Sequence, residues 1–285
     1  MEANKKVAAF APGVNGRSFV QMLDVVKELG FGGLELYPYD DLKTPDLEVA
    51  KQVADRAAEL DLMIPCLSIG ANLAEDDQAA QVGRVKSYIQ VAEAAGAPYI
   101  HFTLYPYLKH VRNGLPIGKL IRRIAPAVKE LCDYAGEHHV GCVLEGQGYY
   151  MNGIAPLEQL LEMADHPNLG IVADLGNVLC VGESPESFVG HFAPMVHHVH
   201  IKDRFWQTQA SEESGVRWLP TKDGAYIRSA ELGEGMIDIE RCLRILKAAG
   251  YNGNFSIENM VVGREDKAAQ DCNYLAGLIE KVFAK

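Results

Sequence analysis

The sequence has no long hydrophobic run, and this absence argues against a membrane protein. No stretch approaches the ~18 uninterrupted apolar residues that a membrane span needs. The N-terminal MEANKKVAAFAPG carries two lysines, but the apolar run after them is too short, and too broken by proline, for a signal peptide. We therefore expect a cytoplasmic protein with no membrane partner.

Excess positive charge and paired cysteine motifs are also absent. The formal net charge is −11, which disfavours a partner with a phosphate backbone, so we expect no nucleic acid partner. The six cysteines are scattered without a CxxC motif, and most lie in apolar segments, so we expect buried free thiols. They are Cys66, Cys132, Cys142, Cys180, Cys242 and Cys272.

The chain has no linker or low-complexity tract, and we expect residues 1–285 to form a single domain. Strand-like and helix-like segments alternate along its whole length. The strand-like segments begin near residues 7, 32, 62, 98, 140, 169, 196 and 254. Eight βα units of this size predict an α/β fold, a (β/α)8 TIM barrel, rather than an open doubly wound sheet. No GxGxxG motif follows the first strand, which weakens a dinucleotide-binding interpretation.

Four apolar strands end on residues that commonly bind metal ions. GCVLE ends at Glu145, GIVAD at Asp174, VHHVH at His200 and NFSIE at Glu258. The carboxyl ends of barrel strands share one face, where active sites lie. Taken alone, each residue is more typical of a solvated cap or a core histidine. Together they predict one divalent-metal site, and three carboxylates with one imidazole suit Mn²⁺, Co²⁺, Mg²⁺ or Zn²⁺.

Strand alternation predicts that all four residues face the barrel interior together with the residue two positions before each. Those preceding residues are Val143, Val172, His198 and Ser256. The connection from Asp203 to about Gly235 is the longest, and we expect a loop there that covers or selects substrate.

Six segments resemble the xylose isomerase-like TIM-barrel superfamily of sugar isomerases and epimerases, and the resemblance covers nearly the whole chain. The segments are GFGGLELY, VLEGQG, VADLGNVL, HHVHIKD, LGEGMID and GYNGNFSIEN. The resemblance to the ketose 3-epimerase branch implies that Glu145, Asp174, His200 and Glu258 bind one divalent metal ion. It also implies that the two glutamates form the acid/base pair.

The chain departs from that branch beyond the metal aspartate. Many ketose 3-epimerases have a substrate-binding histidine where this chain has Asn177, and the DLGN sequence looks more like the sugar-phosphate epimerase branch. The arginine usually found beyond the metal histidine corresponds best to Arg204. The substrate therefore remains open between a sugar and a sugar phosphate.

The resemblance implies a divalent-metal-dependent sugar or sugar-phosphate epimerase or isomerase, with Mn²⁺ the first choice of metal. Epimerisation beside a carbonyl removes a weakly acidic C–H proton, and a metal ion would stabilise the resulting enediolate. Two glutamates, Glu145 and Glu258, could remove the proton from one face of the carbon and return it to the other.

Six further residues are candidates for substrate binding. Asn177, Lys202 and Arg204 follow strands that carry candidate metal ligands. Lys202 lies two positions after His200, so strand alternation directs its side chain to the same face. Glu35 could bind a sugar hydroxyl or form a structural salt bridge, and His101 could face either way in its strand. Trp206 could form an apolar wall against a sugar or anchor the long loop.

Other functions remain open. A lyase or dehydratase acting on a keto-inositol or a dehydro-acid, or an aldose–ketose isomerase, could use the same metal site. An apurinic endonuclease would need a multi-metal cluster with more histidines, and the acidic chain disfavours it. A non-catalytic barrel that binds a sugar is also less favoured, because binding alone rarely needs a metal ion and two spare carboxylates. A homo-oligomer is left open.

Overall fold

Parallel strands surrounded by helices form the scaffold of the molecule. The computed structural model describes residues 3–11, 18–110, 115–210, 217–258 and 265–284. Within these residues one eight-stranded parallel sheet forms. Its strands are β1 Val7–Phe10, β2 Gly33–Glu35, β3 Leu67–Ile69, β4 Tyr99–Phe102, β5 Gly141–Glu145, β6 Leu169–Asp174, β7 Val196–Ile201 and β11 Phe255–Ile257. They lie in the order β2-β1-β11-β7-β6-β5-β4-β3.

The two edges of this sheet meet, so that the sheet closes into a barrel. Leu36 N donates to Cys66 O at 3.0 Å, and Ser68 N donates to Leu36 O at 2.8 Å. Gly33 and Met63 form a second parallel bridge between the same edges. The predicted (β/α)8 TIM barrel is therefore confirmed.

Helices cover the outside of the barrel. They are α1 Phe19–Glu28, α2 Leu47–Glu59, α3 Gln78–Ala94, α4 Ile117–Glu137, α5 Ile154–Ala164, α6 Pro185–Phe192, α7 Ile239–Ala248 and α8 Glu265–Phe283. Each buries one apolar stripe, as in α7, where Ile239, Leu243 and Leu246 lie one or two turns apart and are at most 2% exposed. In the part of the chain that the structure describes, no helix is long and apolar enough to span a membrane.

Two sequence predictions need correction. The third strand was expected to start near residue 62, but β3 begins only at Leu67, because Pro65 has no N–H for a strand ladder. The connection after β7 was expected to be a loop. Instead it forms a three-stranded antiparallel sheet, which we call the flap sheet, of β8 Asp203–Gln207, β9 Leu219–Pro220 and β10 Tyr226–Ala230.

The cysteines behave as predicted. All six lie within the described residues, and all are buried and free of disulfides.

Candidate active site

The ends of β5, β6, β7 and β11 bring four side chains together at one end of the barrel. Asp174 and His200 are direct neighbours in the parallel register of β6 and β7. Glu258 follows β11, and its backbone N donates to Ile201 O at 2.9 Å, which fixes it beside the end of β7. One ligand atom from each of Glu145, Asp174, His200 and Glu258 lies within 4.8 Å of the others. The convergence expected from the sequence is present.

His200 Nδ1 faces all three carboxylates of this cluster. It lies 2.7 Å from Glu145 Oε1, 3.2 Å from Glu258 Oε2 and 3.8 Å from Asp174 Oδ2. Glu145, Asp174 and His200 are at most 2% exposed, whereas the side chain of Glu258 is 26% exposed. Glu258 therefore forms the open side of the cluster.

Lys202 supplies positive charge to the same cluster. Its Nζ lies 2.6 Å from Asp174 Oδ2 and 2.7 Å from Glu258 Oε2, and the side chain is 2% exposed. Asp174 Oδ1 accepts hydrogen bonds from the backbone N of Gly176 and Asn177 at 2.8 and 2.6 Å. Asp174 Oδ2 has the ion pair with Lys202 but no contact of hydrogen-bond geometry among the described residues.

The two glutamates have opposite protonation tendencies. Burial, reinforced by the charge of Asp174, raises the pKa of Glu145 to about 8. Burial would also raise the pKa of Glu258, but the charge of Lys202 and the hydrogen bond from His200 outweigh it and hold that pKa well below its usual range. Burial opposes the charged form of His200, yet Glu35 and the two glutamates raise the pKa of the imidazole well above its ordinary value.

This donor set fits one divalent cation. Three carboxylates and one imidazole nitrogen suit Mn²⁺, Co²⁺, Mg²⁺ and Zn²⁺. Three carboxylates lie close together here, and Lys202 Nζ contacts two of them, so the site is built to hold positive charge. On the other side of the ring, His200 Nε2 lies 3.0 Å from Glu35 Oε1. A carboxylate in that position holds a metal-binding histidine in one tautomer and orientation.

Glu35 lies in a buried layer beneath the cluster. It is fully buried, and its oxygens contact Ser68 Oγ at 2.5 Å, His198 Nε2 at 2.7 Å and His200 Nε2 at 3.0 Å. His198 Nε2 also lies 3.1 Å from Ser256 Oγ. Glu35 forms salt bridges with His198 and His200, and its role in binding a sugar stays a prediction. His198 and Ser256 face inward, as alternation predicted.

His101 turns its ring toward the same cluster. Its Nδ1 lies 2.8 Å from Ser68 Oγ, and its ring centroid lies 5.7 Å from that of His200. Its Nε2 lies 3.9 Å from Glu145 Oε2 and has no hydrogen-bond partner among the described residues. Of the two directions left open for His101, the inward one is observed.

The remaining candidates lie around the rim. Asn177 Oδ1 accepts from Lys202 Nζ at 3.3 Å, while Asn177 Nδ2 is buried without a partner in the described part of the chain. Arg204 Nη1 donates to Ser229 Oγ at 2.6 Å in the flap sheet. Trp206 is opposite Ile227 in the same sheet and is 45% exposed, so it is placed on the flap rather than in the cluster.

Sequence reasoning missed three residues that hold the site in place. Ser68 joins Glu35 to His101, and its signal was a hydroxyl inside the apolar strand LSI. Asn152 donates to Asn177 O at 2.7 Å, and no motif marked it. Asp203 is fully buried and accepts from the backbone N of Gly233 and Gly235 at 3.0 and 2.9 Å.

Comparison with known proteins finds a matching family and relatives that share the barrel fold. A family model described as xylose isomerase-like TIM barrel matches residues 23–278. The L-ribulose-5-phosphate 3-epimerase UlaE of Escherichia coli (strain SMS-3-5 / SECEC) is 25% identical over 273 residues, which cover 90% of this chain and 87% of that protein.

Solved structures share the fold at lower identity. A xylose isomerase domain protein from Planctomyces limnophilus superposes with a TM-score of 0.77 and 20% identity, over 98% of this chain and 99% of that one. The D-psicose 3-epimerase of Clostridium cellulolyticum H10, solved with D-tagatose, has a TM-score of 0.75 and 14% identity, over 97% of this chain and 99% of that one.

Proposed function

The chain belongs to the xylose isomerase-like TIM-barrel family, and we propose that it is a divalent-metal-dependent sugar or sugar-phosphate epimerase. The epimerases among its relatives place it in the isomerase class of enzymes. The observation that carries the finer proposal is the convergence of Glu145, Asp174, His200 and Glu258 on one point at the barrel end.

These four residues would hold one divalent ion, for which Mn²⁺ is the first choice and Co²⁺, Mg²⁺ and Zn²⁺ also fit. When bound, such an ion acts as a Lewis acid that stabilises negative charge developing beside a carbonyl. Glu35 keeps His200 Nδ1 directed at the three carboxylates, because it contacts the opposite ring nitrogen at 3.0 Å.

The two glutamates would exchange the substrate proton. Epimerisation removes a proton from the carbon beside a carbonyl on one face and returns a proton on the other. Glu258, on the open side of the cluster, would accept the proton as a carboxylate. Glu145, after taking up a proton from water, would return one to the opposite face of the carbon. The reverse direction exchanges these roles.

Polar groups at the rim would orient the sugar. Two donors beside Asp174 can bind substrate oxygens: Lys202 Nζ and Asn177 Nδ2, which has no partner among the residues that the structure describes. Arg204 carries a second cationic donor from the flap sheet to the same side. The name of the sequence relatives makes L-ribulose 5-phosphate the first substrate to test, with unphosphorylated ketoses as the comparison.

The proposal is tested by metal content and by exchange of a substrate proton with solvent. Elemental analysis should find about one divalent ion per chain after loading with Mn²⁺, and the double variant Glu145→Gln, His200→Ala should lose it. The loaded protein should incorporate deuterium from D₂O into L-ribulose 5-phosphate or a ketose.

A matched control comes from the same strand. His197 is exposed and points away from the site, so His197→Ala should keep both the metal and the exchange. Absence of bound metal after loading with Mn²⁺ or Co²⁺ would refute the metal site. Bound metal without exchange of any ketose proton would refute the epimerase. About three bound zinc ions per chain would instead favour the endonuclease.

A further inference from the structure

His101 has a buried nitrogen that the proposed mechanism does not use. The side chain is 5% exposed, and its Nε2 has no hydrogen-bond partner among the described residues. An unpartnered buried polar atom costs free energy, so its presence beside a candidate active site requires a reason. Which ligand it can take depends on whether that nitrogen carries a proton.

The hydrogen bonds of Ser68 settle where the proton lies. Ser68 has a single hydroxyl proton, and its Oγ contacts Glu35 Oε1 at 2.5 Å and His101 Nδ1 at 2.8 Å. An ionised carboxylate only accepts hydrogen bonds, so Ser68 donates to Glu35. Ser68 must then accept from His101, and the proton of a neutral His101 lies on Nδ1.

The burial of His101 supports this assignment. A second proton would charge the ring, and a buried charge needs a partner within hydrogen-bond distance. Nε2 has no such partner among the described residues, because Glu145 Oε2 lies 3.9 Å away. Its Nε2 therefore carries a lone pair and no proton.

The surroundings of Nε2 define its ligand. Glu145 Oε2 lies 3.9 Å from Nε2, which is too far for a hydrogen bond, so the lone pair stays free for a ligand. His101 also lies outside the group of four possible metal ligands. A carbonyl or phosphate oxygen would meet a lone pair and be repelled, whereas a hydroxyl can donate to it. The chemistry that fits is a polyhydroxylated substrate with one hydroxyl next to the Glu145 carboxylate.

We propose that His101 binds a substrate hydroxyl through Nε2, and that Ser68, held by Glu35, is the positioning residue that fixes the required tautomer. This rests on the proposed function for the identity of the substrate class. Glu35 would then fix the tautomers of two histidines, because it contacts His200 directly and His101 through Ser68.

The tautomer can be measured without any activity. Two-bond ¹H–¹⁵N correlation spectra of the ¹⁵N-labelled metal-free protein, assigned with His101→Gln, should show the His101 proton on Nδ1. Ser68→Ala should shift the population toward the proton on Nε2. Ser256→Ala is the matched control, since Ser256 is as buried as Ser68 but contacts His198 instead of His101. A proton on Nε2 in the wild-type protein overturns the proposal.

Kinetics with L-ribulose 5-phosphate test the substrate contact. His101→Leu should lower kcat/KM about tenfold or more through a raised KM, and His101→Gln, which keeps an acceptor, should lose less. Both variants should retain the bound Mn²⁺. An unchanged kcat/KM in His101→Leu overturns the proposal, and so does loss of the metal, which would make His101 a ligand.

Failure of the proposed function is recognised separately. If no sugar is turned over, D-tagatose and L-ribulose 5-phosphate are added to the labelled protein. A shift of the His101 ¹⁵Nε2 resonance that is absent in Ser68→Ala then supports the hydroxyl contact, and no shift overturns it.

Discussion

At the scale of single residues, Lys202 is the cation that a divalent metal ion must compete with. Its Nζ contacts Asp174 and Glu258, two of the four candidate ligands. Burial alone would lower the pKa of Lys202, but the charges of Asp174, Glu258 and Glu145 outweigh it, so the pKa is raised and the amine stays charged. The lysine thus offsets the repulsion among buried carboxylates in the metal-free protein.

Lys202→Met should therefore destabilise the metal-free protein and tighten metal binding. Removing one partner of a buried ion pair leaves charge uncompensated, and we expect a loss of about 3 kcal/mol in the free energy of unfolding. Removal of a positive charge beside the ligands should raise Mn²⁺ affinity about tenfold. Chemical denaturation and calorimetric titration measure the two effects, and epimerase activity should fall.

Lys86→Met is the control for this pair of measurements. Lys86 contacts Glu130 at 2.7 Å on the helical surface, where an ion pair contributes about 1 kcal/mol or less. Its substitution should change neither Mn²⁺ affinity nor stability appreciably. Weaker Mn²⁺ binding in Lys202→Met would show that the lysine supports the metal rather than competing with it.

Glu145 makes metal binding depend on pH. In the metal-free protein its pKa is about 8, because burial and Asp174 disfavour its charge. Below that pH the carboxyl keeps a proton, which the metal ion must displace. His200, whose pKa is raised well above its ordinary value, must also release its Nδ1 proton to bind the metal. The apparent Mn²⁺ affinity should thus rise by about a hundredfold per pH unit below about pH 8 and by about tenfold per unit above it. Titrations in buffers of different ionisation enthalpy should detect the released proton, and an affinity that is constant between about pH 6 and 8 would contradict the assignment.

Strand-end residues were predictable from the sequence, and the contacts beneath them were not. Glu145, Asp174 and His200 lie at or next to the ends of recognisable strands, so the parallel register brings them together. Glu35 and Ser68 lie on strands at the two edges of the sheet, and their 2.5 Å contact exists only because those edges meet. Local patterns carry no information on such a closure, so Glu35 remained undecided between sugar binding and a salt bridge.

At the scale of elements, one buried carboxylate ties the start of the flap sheet to the segment that follows the sheet. Asp203 is the first residue of β8, and only Lys202 separates it from β7. It accepts hydrogen bonds from the backbone N of Arg204, Gly233, Gly235 and Ile237. A Cβ on Gly235 would lie 2.1 Å from Asp203 Oδ1, so the close approach needs a glycine there. The sequence showed this connection only as a long segment of mixed composition, and cross-strand pairs such as Arg228 with Phe205 became visible only in the structure.

Asp203→Asn should loosen the flap sheet. The amide offers one acceptor oxygen and introduces N–H donors toward backbone N–H groups, so we expect a loss of about 2–3 kcal/mol in stability. Limited proteolysis of the metal-free variant should cut between β8 and β10 faster than in the wild type. Asp223→Asn is the control, because Asp223 lies in the turn before β10 and its hydrogen bonds to Thr221 and Ala225 stay within that turn. Equal cleavage rates in both variants would exclude Asp203 as the anchor.

At the scale of the whole molecule, alternation of strands and helices was enough to predict the barrel. Parallel neighbours need helical crossovers, and eight such units leave two free edges whose pairing removes exposed strand edges. Where those edges meet could be inferred only from the structure. At this seam Gly33 pairs with Met63 and Leu36 pairs with Leu67, in isolated bridges rather than a regular ladder.

Gly33 is the residue on which this closure depends most closely. A Cβ at that position would lie 2.4 Å from both Met63 O and Met63 Cγ across the seam. Gly33→Ala must therefore push β2 and the Met63 segment apart, and we expect it to destabilise the protein by about 1–3 kcal/mol in urea denaturation. Because Glu35 ends β2, the same shift should move its carboxylate away from Ser68 and reduce Mn²⁺ affinity.

Gly83→Ala separates this effect from the general cost of changing a glycine. Gly83 lies in α3, and a Cβ there would meet no atom within 4 Å, so alanine should stabilise the helix by up to about 1 kcal/mol. The two variants make the same chemical change with opposite expected signs. Since only Gly33 touches the seam, a loss of both stability and metal affinity confined to Gly33→Ala would show that barrel closure positions the active site. Equal effects of the two substitutions would show that it does not.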